Sequence, residues 1–578
     1  MVEKEKLSLG FNYKASHSRD AFFIFTKILI MKTFFNIGTL IISLTLFFSC
    51  GNPQESVDLI VFNAKVYTVN EEFDIVEAFA VAEGKIIGVG TSEEIQSQFT
   101  SESKLDAQGK TVLPGLIDAH AHLYNLGMGL QYVDLVGTNS KEAALQKLVD
   151  FEKGKNTPFI FGRGWDQNDW SVKEFPSKKE LDSLFPNTPV ALSRVDGHAL
   201  WVNSKVLELA GITAETKVAG GEVVLENGSP SGILIDAPMA LAWEIMPEPT
   251  VEVSAKALKE AEKKCLALGL TTINDAGLDR SIIDLIDSLQ QSGEMKLKVY
   301  AMVRNSEENL DYYFTQGIVK TDRLHVRSVK VYADGALGSR GAALRAPYSD
   351  KPEHFGAMIT PAEDLEALAS RIAKAGYQMN THAIGDSANV AVLRAYEKAL
   401  NDRKDSRWKI EHAQIVSLQD FNRFSKNIIP SVQPTHATSD MYWAEDRLGA
   451  QRIKGAYAYK TLLDEAGIIV LGTDFPVEKV NPMYTFYAAV ARKDLQQFPE
   501  NGYRMEESLT REETLKGMTL WAAYSNFEET EKGSLEVGKQ ADFVLLDTPI
   551  MTCPEEDIPN AKVLATYING ESVFNGSD

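Results

Sequence analysis

Five strand ends in this sequence carry side chains able to hold a metal ion. His120 and His122 follow the run Pro114-Gly115-Leu116-Ile117-Asp118-Ala119. Residues two apart on a strand point the same way, so both imidazoles can converge on one ion. His382 ends Tyr377-Gln378-Met379-Asn380-Thr381, and His412 ends Trp408-Lys409-Ile410-Glu411. Asp474 follows Val470-Leu471-Gly472-Thr473. Imidazole and carboxylate suit zinc and related divalent ions. An Asp after a strand can also cap a helix. Facing a metal, Asp474 would ligate it or take a proton from water. Lys330 sits in Val329-Lys330-Val331-Tyr332, where an unpaired ammonium is costly. Carbamylation by carbon dioxide would make it an anionic oxygen ligand and account for its position.

Other residues are candidates for the substrate side. His198, in Asp196-Gly197-His198-Ala199-Leu200-Trp201, and His436, in Gln433-Pro434-Thr435-His436, each follow an expected barrel strand. For His198 two readings stand, a catalytic or substrate-facing group and a hydrogen-bonded structural one. His436 reads equally as a substrate contact and as a support for the ligands. Trp165 with Asp166, and Trp443, would line an aromatic pocket or pack a loop.

These groups need a scaffold that gathers distant strand ends. Residues 57–113 read as short strands and hairpins, with turns such as Glu83-Gly84-Lys85. After Pro114, apolar strands alternate with amphipathic helices, among them Val251 to Leu268, Pro361 to Ala375 and Ala388 to Asn401. The strands expected are Gly115 to Ala119, Phe159 to Gly162, Val190 to Arg194, Thr271 to Asp275, Lys298 to Arg304, Val326 to Tyr332, Gln378 to His382, Lys409 to His412, Ile428 to Gln433 and Ile468 to Gly472. That rhythm implies a parallel sheet, and its length suits an α/β fold of the (β/α)8 TIM-barrel type over 114–526. Functional groups of such a barrel gather at the carboxyl ends of its strands. A β insertion is expected at about 207–246. Segments 57–113 and 527–578, both strand-rich, are expected to form one small β-sandwich domain.

The chain has 578 residues, above the roughly 250–300 at which a single core stops growing. Its formal net charge of −21 argues for solubility and against a nucleic-acid partner. The three cysteines, Cys50, Cys265 and Cys553, lie far apart, which excludes a disulfide framework and a Cys-x-x-Cys site. Cys265, in Lys264-Cys265-Leu266-Ala267-Leu268, reads as core.

Residues 1–56 read as an address and tether. Met31-Lys32 precedes the apolar run Thr33 to Ser49, which resembles a secretory signal, with Met31 an alternative start. The run ends at Cys50, placed like the lipidated first residue of an exported bacterial envelope lipoprotein. An uncleaved membrane anchor is the alternative.

Taken together, the motifs Leu113-Pro114-Gly115-Leu116-Ile117-Asp118-Ala119-His120-Ala121-His122, Lys330-Val331-Tyr332-Ala333-Asp334-Gly335, Thr381-His382-Ala383-Ile384-Gly385-Asp386, Glu411-His412-Ala413-Gln414 and Gly472-Thr473-Asp474-Phe475-Pro476-Val477 resemble the amidohydrolase superfamily. Within it the chain is similar to the branch of YtcJ-type proteins and N-substituted formamide deformylase. The resemblance implies one or two divalent ions, zinc by expectation. One would be held by His120, His122 and Asp474, the other by His382 and His412, with carbamylated Lys330 bridging. It also implies hydrolysis of a carbon–nitrogen bond other than a peptide bond in a small-molecule amide. Two rivals stand beside this reading: an ester, lactone or phosphoester hydrolase on the same barrel, and a non-catalytic exported binding lipoprotein. Self-association into a homo-oligomer is left open.

Overall fold

The computed structural model describes residues 54–576, apart from Asn156, Ala219 and Asp402. The expected signal segment and Cys50 fall outside the described residues. Val57–Asp578 forms one compact unit.

Its centre is an eight-stranded parallel barrel. The strands, in order, are Leu116–Ala121, Leu270–Leu278, Lys298–Arg304, Leu324–Tyr332, Gln378–Ala383, Trp408–His412, Ile428–Val432 and Val470–Leu471. Every neighbouring pair along this path is parallel. The eighth and first strands meet through backbone hydrogen bonds: the Asp474 N–H donates to His120 O at 2.8 Å, and the His122 N–H to Phe475 O at 2.9 Å. The helices cover the barrel with their apolar stripes. Val251–Ala267, capped by Thr250, buries Ala257, Leu258, Ala261, Cys265 and Leu266, the three- and four-residue spacing of one helix face.

Leu59–Phe62, Ala78–Ala82, Lys85–Gly90 and Lys104–Asp106 form one sheet beside the barrel. Thr111–Pro114 and Lys65–Tyr67 share a second sheet with the C-terminal strands Phe543–Leu546, Val563–Ile568 and Glu571–Asn575. Leu59, Val61 and Phe79 of the first sheet share a core with Val112, Phe543 and Leu545 of the second, so the two ends of the chain build a sandwich.

A six-stranded sheet is inserted between the first and second barrel strands. It runs from Val133–Asp134 through Ile160–Trp165, Val190–Arg194, Ala199–Val202 and Ser229–Asp236 to Gly221–Glu226 at the edge. The insertion is therefore larger than the stretch around 207–246 expected from sequence. It takes in Phe159 to Gly162 and Val190 to Arg194, which sequence assigned to the barrel. Its two strands Ile160–Trp165 and Val190–Arg194 are parallel and joined through a helix, the same local pattern a barrel repeats.

Candidate active site

The first barrel strand places Asp118, His120 and His122 at alternate positions. At its carboxyl end, His120 and His122 rings lie 5.6 Å apart, centroid to centroid. His412 is 4.9 Å from His120, and His382 is 4.5 Å from His412. Lys330 Nζ lies 3.1 Å from His120 Nε2. Asp474 Oδ1 lies 3.3 Å from His122 Nε2 and 3.7 Å from His120 Nε2. All six expected ligands thus gather at one mouth of the barrel. The tightest triad, His120, His412 and Asp474, keeps its ligand atoms within 4.8 Å of one another. It draws from both expected ligand sets, which form one continuous cluster.

The backbone bends to make this cluster. Alternation along the sixth strand turns Glu411 inward and would turn His412 away. His412 adopts φ 73°, leaving the extended path, and its ring returns to the cluster. Asp474 is also left-handed, at φ 61°. Such conformations are costly for non-glycine residues and concentrate at functional sites. At Gly472 a Cβ would come within 2.5 Å of His120 N, so only glycine lets the eighth strand approach the first.

Hydrogen bonds fix the ring tautomers. His122 Nδ1 donates to Ala276 O at 2.9 Å, and His412 Nδ1 to Gln433 Oε1 at 2.7 Å. His120 Nδ1 donates to Glu411 Oε2 at 2.6 Å. With Nδ1 protonated, a neutral ring presents its Nε2 lone pair inward. Burial keeps these rings neutral: His120 is held below the ordinary histidine range, His412 well below it, and His382 is pushed down to about 3. Burial alone would raise the Asp474 carboxyl, but the contact with His122 and the neighbouring imidazoles of His120, His412 and His436 hold it well down. His382 Nε2 and Asp474 Oδ1 have no hydrogen-bond partner. Lone pairs and a carboxylate oxygen facing one another repel unless a cation lies between them. The donor set therefore fits a divalent metal site.

Several supporting residues lay inside the quoted motifs without a role. Asp118, buried on the first strand, accepts from Thr473 N at 3.0 Å and Thr473 Oγ1 at 2.7 Å, clasping the eighth strand to the first. Burial raises it to about 7 against those hydrogen bonds. Burial would raise Glu411 too, yet His120 and Lys409 bring it to about 2. Asp334 accepts from the backbone N–H groups of Ala343, Ile384 and Gly385 at 2.8–2.9 Å and lies 3.7 Å from His382 Nε2. The signal for Asp118 and Glu411 was available: each shares the inward register of its strand.

A cavity of about 400 Å³ opens above the cluster. His120, His122, Lys330, His382, His412 and Asp474 form its base, and His436 and Trp443 line its side. His436 Nε2 is 3.7 Å from Asp474 Oδ2. The amidohydrolase family pattern matches residues 104–574.

This chain belongs to the amidohydrolase family. It is 31% identical over 525 residues to the putative amidohydrolase YtcJ of Bacillus subtilis (strain 168), covering 89% of this chain and 98% of that one. It is 27% identical over 544 residues to N-substituted formamide deformylase of Arthrobacter pascens, covering 89% and 97%. Its fold matches a crystal structure of an uncharacterized metal-dependent hydrolase from Pyrococcus horikoshii OT3, with TM-score 0.73, 28% identity, and coverage of 86% and 99%. The protein is a metal-dependent hydrolase of the YtcJ-like branch.

Two expected substrate residues of this amidohydrolase do not line the cavity. Trp165 is fully buried in the inserted sheet, packed on Trp170 and Trp201, and its indole N–H donates to Leu192 O at 2.7 Å. His198 begins the hairpin after Val190–Arg194, a strand of the insertion and not of the barrel. Its side chain is 74% exposed and pairs with Asp236 at 2.7 Å. The His198 assignment followed from placing Val190 to Arg194 in the barrel, and Trp165 takes the packing alternative of its two readings.

Proposed function

We propose that this amidohydrolase cleaves a carbon–nitrogen bond in a small amide, formamide or N-acyl compound. One or two divalent cations, zinc by chemistry of the ligands, would be held by His120, His122, His382, His412 and Asp474. Metal bound there supplies Lewis acidity, which makes water nucleophilic near neutral pH and polarises a carbonyl. Lys330 would bridge as its carbamate. The step is Lys–NH2 plus CO2 giving Lys–NH–COO⁻ and a proton, and it requires the neutral amine. Burial lowers the Lys330 pKa, against the charges of Glu411 and Asp474, and so favours that form.

The observation carrying this reading is the position of Asp474. Its carboxylate touches the ligand cluster and also borders the cavity. From there it takes the proton of the attacking water and passes it to the departing nitrogen. An amine leaves poorly unless protonated, whereas an alkoxide leaves with less help. A carboxylate placed to carry that proton therefore favours amides over esters. The full-length relative named for formamide deformylation agrees with the same bond class.

The test loads the purified protein with Zn²⁺ and compares N-formyl and N-acetyl alkylamines with matched esters. Amide turnover exceeding ester turnover in kcat/KM is the expected result. Ester turnover alone would overturn the assignment.

A further inference from the structure

The walls of the cavity differ in character. Trp443, Leu337, Ile384 and Val477 form an apolar surface, and Asp440 and Glu478 form an acidic one. Lys330 is the one lysine or arginine among the described lining residues, and it lies at the base with the metal ligands. Lys479, adjacent in sequence to Glu478, lines a neighbouring pocket instead.

The acidic wall is built rather than incidental. Tyr457, fully buried, donates its hydroxyl to Asp440 Oδ2 at 2.8 Å, and Gln414 Nε2 reaches that oxygen at 3.3 Å. Gln414 Nε2 also donates to the Tyr457 hydroxyl at 3.0 Å, which braces the pair. Ser439 Oγ donates to Glu478 Oε1 at 2.7 Å. These donors hold the carboxylates without neutralising them. Burial raises the Asp440 pKa, the charge of Glu478 adds to it, and His436 opposes it.

Its location identifies which half of a substrate meets it. Asp474, with an 8% exposed side chain and an unpartnered Oδ1, opens into this cavity. A proton leaving it goes to the departing nitrogen, so the amine half of an amide lies on its side. His436 stands beside Asp474, and Asp440 lies one turn further along the same helix, Pro434–Asp440. Glu478 stands beside this helix, held by Ser439, and lines the same cavity.

We propose that Asp440 and Glu478 select substrates whose amine half carries a cation, such as a monoacylated diamine, and reject amides bearing a carboxylate there. This rests on the amide-hydrolase reading above. An ammonium beside the two carboxylates gains Coulomb attraction in a partly desolvated cavity, and a carboxylate meets repulsion. The apolar wall accepts the methylene chain between amide and cation.

Three N-formyl compounds of similar size test this on the full chain loaded with Zn²⁺: N-formyl-1,4-diaminobutane, N-formylpentylamine and 4-formamidobutanoate. The expected order in kcat/KM is cation above neutral above anion, with about tenfold at each step. Asp440→Asn and Glu478→Gln should each reduce the cation-to-neutral ratio by about threefold, and the double variant should abolish it, mainly through KM, with zinc content unchanged. Anion turnover equal to cation turnover, or a ratio unmoved in both variants, overturns the selectivity while the amide reading stands. Turnover of esters and of none of the three amides overturns the amide reading itself, and the selectivity falls with it.

Discussion

His120 is held from two directions. Its Nε2 faces Lys330 and Asp474, while its Nδ1 donates to the buried carboxylate Glu411 at 2.6 Å. A carboxylate behind a ligating imidazole fixes the ring and raises its basicity. Glu411→Gln keeps the shape and removes the charge, so zinc affinity should fall by about 10–100-fold. Titration against a competing chelator reads this, and wild-type affinity would show that Glu411 does not support the ligand. Asp474→Asn should reduce kcat by about 10²–10⁴-fold, as expected for loss of a proton carrier. Zinc retained on the histidines would separate that loss from loss of metal. The cluster was legible because imidazoles at the ends of apolar strands have few structural reasons to be there. Asp440 was not, since nothing in Thr438-Ser439-Asp440 shows that Tyr457 and Gln414 turn it toward a cavity. His412 was legible as a member of the cluster, but the left-handed turn that brings it inward was not.

The inserted sheet shows what strand periodicity can and cannot settle. Ile160–Trp165 and Val190–Arg194 are apolar, parallel and separated by a helix, so a local reading assigns them to the barrel. What excludes them is pairing: Val190–Arg194 bonds on its other edge to Ala199–Val202, antiparallel, and so turns away from the barrel path. That pairing is tertiary information. The eight barrel strands were legible because each is buried along nearly its whole length, on both faces, and is bounded by turns or helices. Trp165 marks the insertion's own core, together with Trp170, Leu192 and Trp201. Trp165→Ala should cost the insertion about 3–5 kcal/mol through the cavity it leaves. Thermal melts and zinc content measured together check this. A lowered melting temperature with undiminished zinc content is expected, and loss of zinc with an unchanged melt would return Trp165 to the active site.

At the scale of the whole molecule, buried charges join the sandwich and the chain's C-terminal part to the barrel. Lys298, the first residue of the third barrel strand, is buried with its Nζ donating to Gln540 Oε1, both oxygens of Asp542 and Asn569 Oδ1, at 2.6–2.8 Å. Glu528, past the last barrel helix, receives Lys532 at 3.1 Å and also ion-pairs with Lys320, while His325 on the fourth strand lies 3.3 Å away. Burial alone would raise the Glu528 pKa, yet Lys532, His325 and Lys320 hold it well below 4.5. The folded state thus binds the proton more weakly than the unfolded chain does. The stability Glu528 contributes is complete above its unfolded value of about 4.5 and is lost as pH falls toward its folded one. Glu528→Gln leaves the buried Lys532 without its partner, and should cost about 3–5 kcal/mol at pH 7. It should also flatten the acid limb, because the group that titrates there is gone. Urea unfolding at a series of pH values below 5 reads both effects. An acid limb in the variant as steep as in the wild type would mean that other carboxylates carry the acid sensitivity, and that the join at the barrel base does not depend on this charge.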